Sequence, residues 1–504
     1  MPAQALAAVA TLLSFAPHGN KVELRLDRGS AELVWLTPST FHFRRVLDGQ
    51  LRPAEEMARE PFVMQTEDLL QTDGAAGEVR IRSRQLEVAI AKKGLLLRVR
   101  RANGAPLMLD LTEPRSEAGG VVWERQTLPD TEYFGLGART DPTFALRGKS
   151  LAAGVPLLVS TAGYGEYHPG GGAYHFDFTS DDRYRIQGPE IDYYFYYGPT
   201  PKEIFEEHNQ QPNRADPWTV NSDRFGSWGT LKASLVRIVQ GAMSSANAPM
   251  LNLAPYNNAP PELLLRARQL GSLVARAAPG TVGLSGFRKQ LDTFYGSYIA
   301  ELQDRGFPIW HPLPFQIPDD REAIRHPDQF LLGDEMLVAP ICEPGDKRTV
   351  YLPRGLWTNL ETNQATQGPK TITVESKSLP VFARNGAIIP LDAANGIALH
   401  YFPKLGGEFF LLEGDIAEYS QVHAAPALDI IRLEIESKKD RDYQWVVHHT
   451  DKPTGVAFED RQYREVASLE TMADGCWYYD STQKNLHVRA KVKAGEDCII
   501  NLTF

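Results

Sequence analysis

Short runs of alternating apolar and polar residues recur along most of the chain, the pattern of strands with one face buried. KVELRL (21–26), AELVWL (31–36) and FHFRRV (41–46) follow one another across Asp-Arg-Gly and Thr-Pro-Ser turns. The segment 78–111 continues the alternation, with turns at Lys93-Gly94 and Asn103-Gly104. Regular spacing of this kind predicts an antiparallel sandwich over 1–200. Within it, HPGGGAYHF (168–176) reads as a hairpin tip, without the glycine spacing or the trailing Lys-Ser/Thr of a phosphate cradle. The period then changes. QQPNRADPWTV (210–220) is a Pro/Asn-rich connector, and WGTLKASLVRIVQGAMSS (228–245) is an amphipathic helix capped by Ser227. APMLNLAP (248–255) is a buried strand. Helices follow over 260–277 and 286–306, the first opened by prolines and the second stopped by Gly306. From there the chain returns to strands. FPIWHPLPF is Pro-bounded, and LLGDEMLVAPI is a turn followed by a buried strand. TVYLP stops at a Pro353-Arg354-Gly355 turn, and PVFARNGAIIPL holds Asn385-Gly386 between two apolar runs, a hairpin signal. Strands over 429–437, 443–449 and 485–504 alternate as half-buried.

Composition narrows the function classes. The 504 residues suffice for three or four domains, and 42% hydrophobic with 23% charged residues is ordinary globular material. A net charge of −10 argues against nucleic acid or an anionic membrane surface as partner. No window approaches the roughly 18 apolar residues that span a bilayer. The apolar stretch Ala5–Phe15 lacks the basic flank of a signal peptide; it favours a first strand, and with it a cytoplasmic over an exported location. Cys342, Cys476 and Cys498 show no Cys-x-x-Cys or zinc spacing, so they read as buried thiols, Cys476 and Cys498 pairing only in an exported chain. Neither a metal nor another cofactor is expected. Trp445, Trp477, Tyr478 and Tyr479 read as core rather than as a sugar platform.

GFPIWHPLPFQIPDD (306–320), QFLLGDEMLVAPI (329–341), RTVYLPRGLW (348–357) and SLPVFARNGAIIPL (378–391), in that order, closely resemble glycoside hydrolase family 31, the α-glucosidases, α-xylosidases and relatives. YFGLGART (133–140), FALRGK (144–149), PLLVSTAGYGEY (156–167) and the run 189–209 resemble its N-terminal domain. The resemblance implies a multidomain, mainly β fold. Its parts are a galactose-mutarotase-like β-sandwich (1–200), a truncated α/β remnant of a (β/α)8 barrel (201–328) and two C-terminal β-sandwich domains (329–412 and 413–504). A complete barrel takes about 250 residues and eight strands. The interval 201–328 offers about two strands and three helices.

The resemblance also implies chemistry, and most of it is missing. Retaining glycosidases use two carboxylates roughly 5 Å apart, a nucleophile and an acid/base. In the family both are aspartates on barrel strands. NSDRFGSWGTLKAS (221–234) resembles the acid/base segment, which puts Asp223 at that position and Trp228 at the helix start. Taken alone, Asp223 is a solvated turn aspartate. The nucleophile's strand would fall between Asn209 and Trp218, where Asp216 stands in an Asp-Pro linker. The substrate-binding positions retain Trp228, Arg276 and His311. The family's sugar-binding histidine after Arg276 is replaced by alanine, and His311 stands where the family has arginine; a neutral imidazole lacks the guanidinium's forked donors.

Three readings stay open. The chain is a family 31-like protein of carbohydrate metabolism that does not hydrolyse by the two-aspartate mechanism, acting by carbohydrate binding or assembly. Alternatively it is an α-glycosidase whose site is rebuilt, or completed by a homo- or hetero-oligomeric partner covering the exposed remnant. The third reading is a purely structural interaction module.

Overall fold

The computed structural model describes residues 9–51, 71–75, 77–169, 174–210, 218–221, 226–244, 248–274, 286–394, 396–414 and 418–504. The chain divides into two compact units. The first comprises Met1–Asp216, Gln240–Ala246 and Pro314–Arg325; the second comprises Pro217–Val239, Asn247–Leu313 and His326–Phe504.

The first unit is built on antiparallel sheets. Its eight-stranded sheet runs, in spatial order, Leu12–His18, Lys21–Leu26, Ser30–Thr37, Thr40–Val46, Ile191–Tyr197, Tyr164–Tyr167, Leu157–Ser160 and Tyr133–Gly135. Two five-stranded sheets accompany it. Alternation along Lys21–Leu26 turns Val22, Leu24 and Leu26 inward, and they join one buried cluster with Val79, Ile81, Val88, Trp123 and Phe176 from the other sheets. The expected strands at 21–26, 31–36, 41–46 and within 78–111 are present. The hairpin reading of 168–176 is not. Tyr164–Tyr167 pairs within the eight-stranded sheet, whereas His175–Asp177 pairs with Arg183–Gly188 in a five-stranded one, so the segment carries the chain between sheets. Residues 170–173 within it lie outside the described residues. A helix, Pro201–Asn209, follows, with Thr200 and Glu203 forming a capping box.

The second unit opens with a parallel pair. Trp218–Asn221 lies beside Ala248–Leu251, in register from Trp218↔Ala248 to Asn221↔Leu251, and the Trp228–Gly241 helix is the crossover between them. The first of these strands is a correction to the connector reading, because 218–221 pairs as a short strand. Pro261–Gly271 forms the next helix, and the expected single helix over 286–306 is broken into Gly286–Lys289 and Asp292–Arg305. Gly306 ends the latter with φ of 78°, the left-handed conformation of a C-terminal stop. Trp310–Pro312 is the outer strand of a six-stranded sheet; it pairs antiparallel with Phe330–Leu332, followed by Met336–Val338, Val381–Arg384, Lys347–Asn359 and Ala365–Glu375.

Two further turn readings change here. Pro353-Arg354-Gly355 does not end a strand; Lys347–Asn359 continues through it with an irregularity between Leu352 and Gly355. At Asn385-Gly386 the chain does turn, the Ala387 N–H donating to the Arg384 carbonyl at 3.0 Å. The flanking strands nevertheless enter different sheets. Val381–Arg384 stays in the first, while Ile388–Ala393 begins a second six-stranded sheet containing Gly396–Tyr401, Arg441–Val447 and Asn485–Val492. A third, with Gly407–Leu412, Tyr419–Pro426, Ile430–Glu436 and Asp497–Thr503, contributes Leu411, Val422, Leu433 and Ile500 to the buried core. Sheet membership thus changes at Asn385-Gly386, ahead of the expected boundary at 412. Trp445 and Trp477 are buried, and all three cysteines are buried free thiols.

Candidate functional site

Open α/β sheets place ligands outside the carboxyl ends of parallel strands. In the second unit those ends are Asn221 and Leu251. The loop after the first strand leads into the Trp228–Gly241 helix through a reciprocal cap. The Ser227 hydroxyl accepts from the Thr230 N–H at 3.1 Å, and the Thr230 hydroxyl accepts from the Ser227 N–H at 2.9 Å. The loop after the second strand forms a single turn, Ala254–Tyr256, which starts with the Asn252 side chain accepting from the Ala254 N–H. The two loops touch. A Cβ added at Gly226 would lie 2.4 Å from the Pro255 carbonyl oxygen, and the Thr230 and Tyr256 hydroxyls are 3.3 Å apart. Only glycine at 226 permits that approach.

The residues predicted for catalysis and binding are placed unequally. Asp223, between Asn221 and Gly226 in the chain, lies outside the described residues, as do Asp216 and Arg276. Trp228 is the first residue of the helix and is half-buried. His311 is in the middle of Trp310–Pro312 and is 0% exposed. Its Nδ1 is 3.1 Å from an Asp334 carboxylate oxygen, and the Tyr298 ring stands edge-on to the imidazole.

That histidine belongs to an interior polar group that the sequence reading did not single out. The Tyr298 hydroxyl donates to Glu335 Oε2 at 2.7 Å, and the Asp334 N–H donates to the Tyr298 hydroxyl at 2.8 Å. Burial, reinforced by the Asp334 charge, pushes the Glu335 carboxyl up to about 8. Two adjacent acidic residues in the turn of LLGDEML were the available signal, since a carboxylate between buried strands needs partners. The geometry fits a tie between the hairpin and the Asp292–Arg305 helix: Tyr298, His311 and Glu335 are buried, and Asp334 closes the group at its partly exposed end.

A cavity of about 290 Å³ lies between the Trp228–Gly241 helix and the strand Lys347–Asn359, lined by Lys232, Asp328, Cys342, Glu343 and Arg348 among others. Four of its five charged side chains pair within the wall, Lys232 with Glu343 at 2.5 Å and Arg348 with Asp328 at 2.8 Å; the fifth is Lys347. Burial holds the Cys342 thiol up at about 12, so it supplies no thiolate nucleophile at neutral pH.

Residues 306–389 match the model of the glycosyl hydrolase family 31 C-terminal domain. Mouse neutral alpha-glucosidase AB is 28% identical over 246 residues, covering 41% of this chain and 26% of that protein. An alpha-glucosidase of Saccharolobus solfataricus is 34% identical over 96 residues, covering 19% and 14% respectively. The chain thus spans about a quarter or less of the length of these curated relatives. Among solved structures, the Flavobacterium johnsoniae family 31 dextranase complexed with glucose superposes with a TM-score of 0.80 at 14% identity, covering 99% of this chain and 100% of that one. That likeness is one of fold. The matched domain and these relatives put this mainly β, multidomain chain in the class of glycoside hydrolase-like proteins. Within that class, the matched C-terminal domain and the α-glucosidase relatives place it in glycoside hydrolase family 31.

Proposed function

We propose that the chain acts in carbohydrate metabolism by carbohydrate binding or assembly, and that a single chain does not hydrolyse by the family's two-aspartate retaining mechanism. In this reading the first unit's sheets are the galactose-mutarotase-like sandwich and 201–328 is a barrel cut down to a remnant. Asp223, Trp228, Arg276 and His311 are what survives of the sugar site. One observation carries most of the weight. Within 201–328, parallel pairing among the described residues is confined to Trp218–Asn221 with Ala248–Leu251, and Trp310–Pro312 pairs antiparallel with the following hairpin. Two parallel strands cannot close a barrel. The interval between the Pro201–Asn209 helix and Trp218 holds one acidic residue, Asp216, directly before a proline. A retaining site needs two carboxyl groups about 5–5.5 Å apart, each held on a rigid element.

The test is turnover of aryl α-glucosides and α-xylosides by the purified chain. The expected result is no turnover above the Asp223→Asn variant; turnover that Asp223→Asn abolishes overturns the reading. A second reading, a glycosidase completed by a partner chain, is favoured by Leu265, 47% exposed on the Pro261–Gly271 helix. It predicts turnover that appears only as the oligomer forms, measured by assay across a concentration series alongside sedimentation velocity.

A further inference from the structure

Alternation along Gly407–Leu412 turns Phe409 inward, against Phe294 and Tyr298, and leaves Phe410 on the solvent face, 43% exposed. This strand is at the edge of its sheet, followed in space by Tyr419–Pro426, Ile430–Glu436 and Asp497–Thr503. The register puts Gln421 directly opposite Phe410, with Tyr419 and His423 on the two diagonals. Both of those rings stand edge-on to Phe410, at centroid separations of 6.5 Å. Further across the same face, Glu434 is opposite His423, Arg432 is opposite Ala425, and Asn501 is opposite Arg432. Arg432 and Glu434 form an ion pair.

We propose that this outer face of the C-terminal sheet is a binding platform for an oligosaccharide. The proposal rests on the carbohydrate reading above and places the binding on the solvent face of this sheet, not at Asp223, Trp228, Arg276 and His311. A pyranose presents an apolar C–H face ringed by hydroxyls. An exposed aromatic ring takes the first, and planar side chains with paired donors and acceptors take the second. Phe410, steadied by its two edge-on neighbours, supplies the ring. The Gln421 amide, the Glu434 carboxylate, the Arg432 guanidinium and the Asn501 amide supply hydrogen bonds along the next three strands. The outward face of an antiparallel sheet is ordinarily polar, so a phenylalanine there departs from the pattern in which Glu408, Gln421, Arg432 and Glu434 conform. A second copy of the chain fits less well. The apolar groups on this face, the ring cluster and Ile430 at 42% exposed, are separated by Arg432 and Glu434, whereas a stable protein interface has a broad core depleted of charge.

The test is affinity electrophoresis of the full chain through native gels containing soluble starch, dextran or xylan, with Phe410→Ala, Gln421→Ala and Trp228→Ala variants of matched thermal stability. The expected result is retardation by at least one polysaccharide, weakened at least about tenfold in Phe410→Ala, weakened in Gln421→Ala, and weakened less in Trp228→Ala than in Phe410→Ala. Retardation kept in Phe410→Ala but lost in Trp228→Ala overturns the platform and leaves the carbohydrate reading standing, with binding at the remnant. Retardation unaffected by either substitution, or absent with all three polysaccharides, also overturns the platform. Failure of the non-hydrolysing reading shows separately, as turnover of the aryl glycosides.

Discussion

At the scale of single residues, two of the buried ionisable groups give direct tests, Arg125 in the first unit and Glu335 in the second. In the first unit Arg125 is buried between Asp110, 3.0 Å from its Nε, and Glu166, with its guanidinium over the Tyr193 ring. Burial alone would raise the Glu166 carboxyl; Arg125 and His168 hold it below its usual value. Arg125→Leu strands that carboxylate without its cation, and we expect a loss of about 3–5 kcal/mol in denaturant unfolding, with the larger part recovered by adding Glu166→Gln. In the second unit Glu335 gives a pH signature. A carboxyl raised to about 8 in the folded state binds its proton more tightly than the unfolded chain does. Its stabilisation is complete below the unfolded value near 4.5 and is lost as pH rises through 8. Burial lowers His400 to about 4, and its Nδ1 is 3.0 Å from His448 Nε2. A base shifted that way acts with the opposite sign, losing stability as pH falls below about 6.5. Between about 6.5 and 8 the Glu335 contribution therefore stands apart. Unfolding free energy should fall by about 1.5 kcal/mol across that window, and Glu335→Gln should flatten the slope. An unchanged slope in the variant contradicts the assignment.

At the scale of elements, the helix that follows Asp223 in the chain starts with a side-chain cap, and Ser227→Ala should cost about 1 kcal/mol in thermal or denaturant unfolding. The cap was legible because a serine precedes an amphipathic run. The alternating strands were legible for the same kind of reason: period two fixes which side chains face inward. What misled was turn chemistry. Asn385-Gly386 does reverse the chain, but a turn dipeptide fixes only the local reversal. Whether the next strand pairs back or joins another sheet depends on distant partners, here Gly396–Tyr401 for Ile388–Ala393. Trp218–Asn221 went unseen because four residues behind a Pro/Asn-rich stretch are too few to show a period, and its partner lies a whole helix away. The adjacent pair Phe409-Phe410 does not by itself say which ring is buried. Only the strand's register separates the two rings.

At the scale of the whole molecule, family membership rests on 306–391, the stretch whose residues announced it, while the chemistry the family implies depends on 201–328. In the first the order of strands was readable directly, while the turns at Pro353-Arg354-Gly355 and Asn385-Gly386 did not give the strand pairing. In the second, Asp223 could be placed only by resemblance, because a carboxylate's role depends on the partner opposite it, and spacing in one chain does not supply that partner. The central claim is that no covalent glycosyl-enzyme forms on the single chain. The direct measurement is intact-mass spectrometry of the full chain after incubation with 5-fluoro-α-glucosyl and 5-fluoro-α-xylosyl fluorides, which trap the intermediate of a retaining enzyme. An unchanged mass is the expected result. A mass increase of one fluoroglycosyl unit, mapped by peptide digestion to Asp216 or any other carboxylate of this chain, would contradict it.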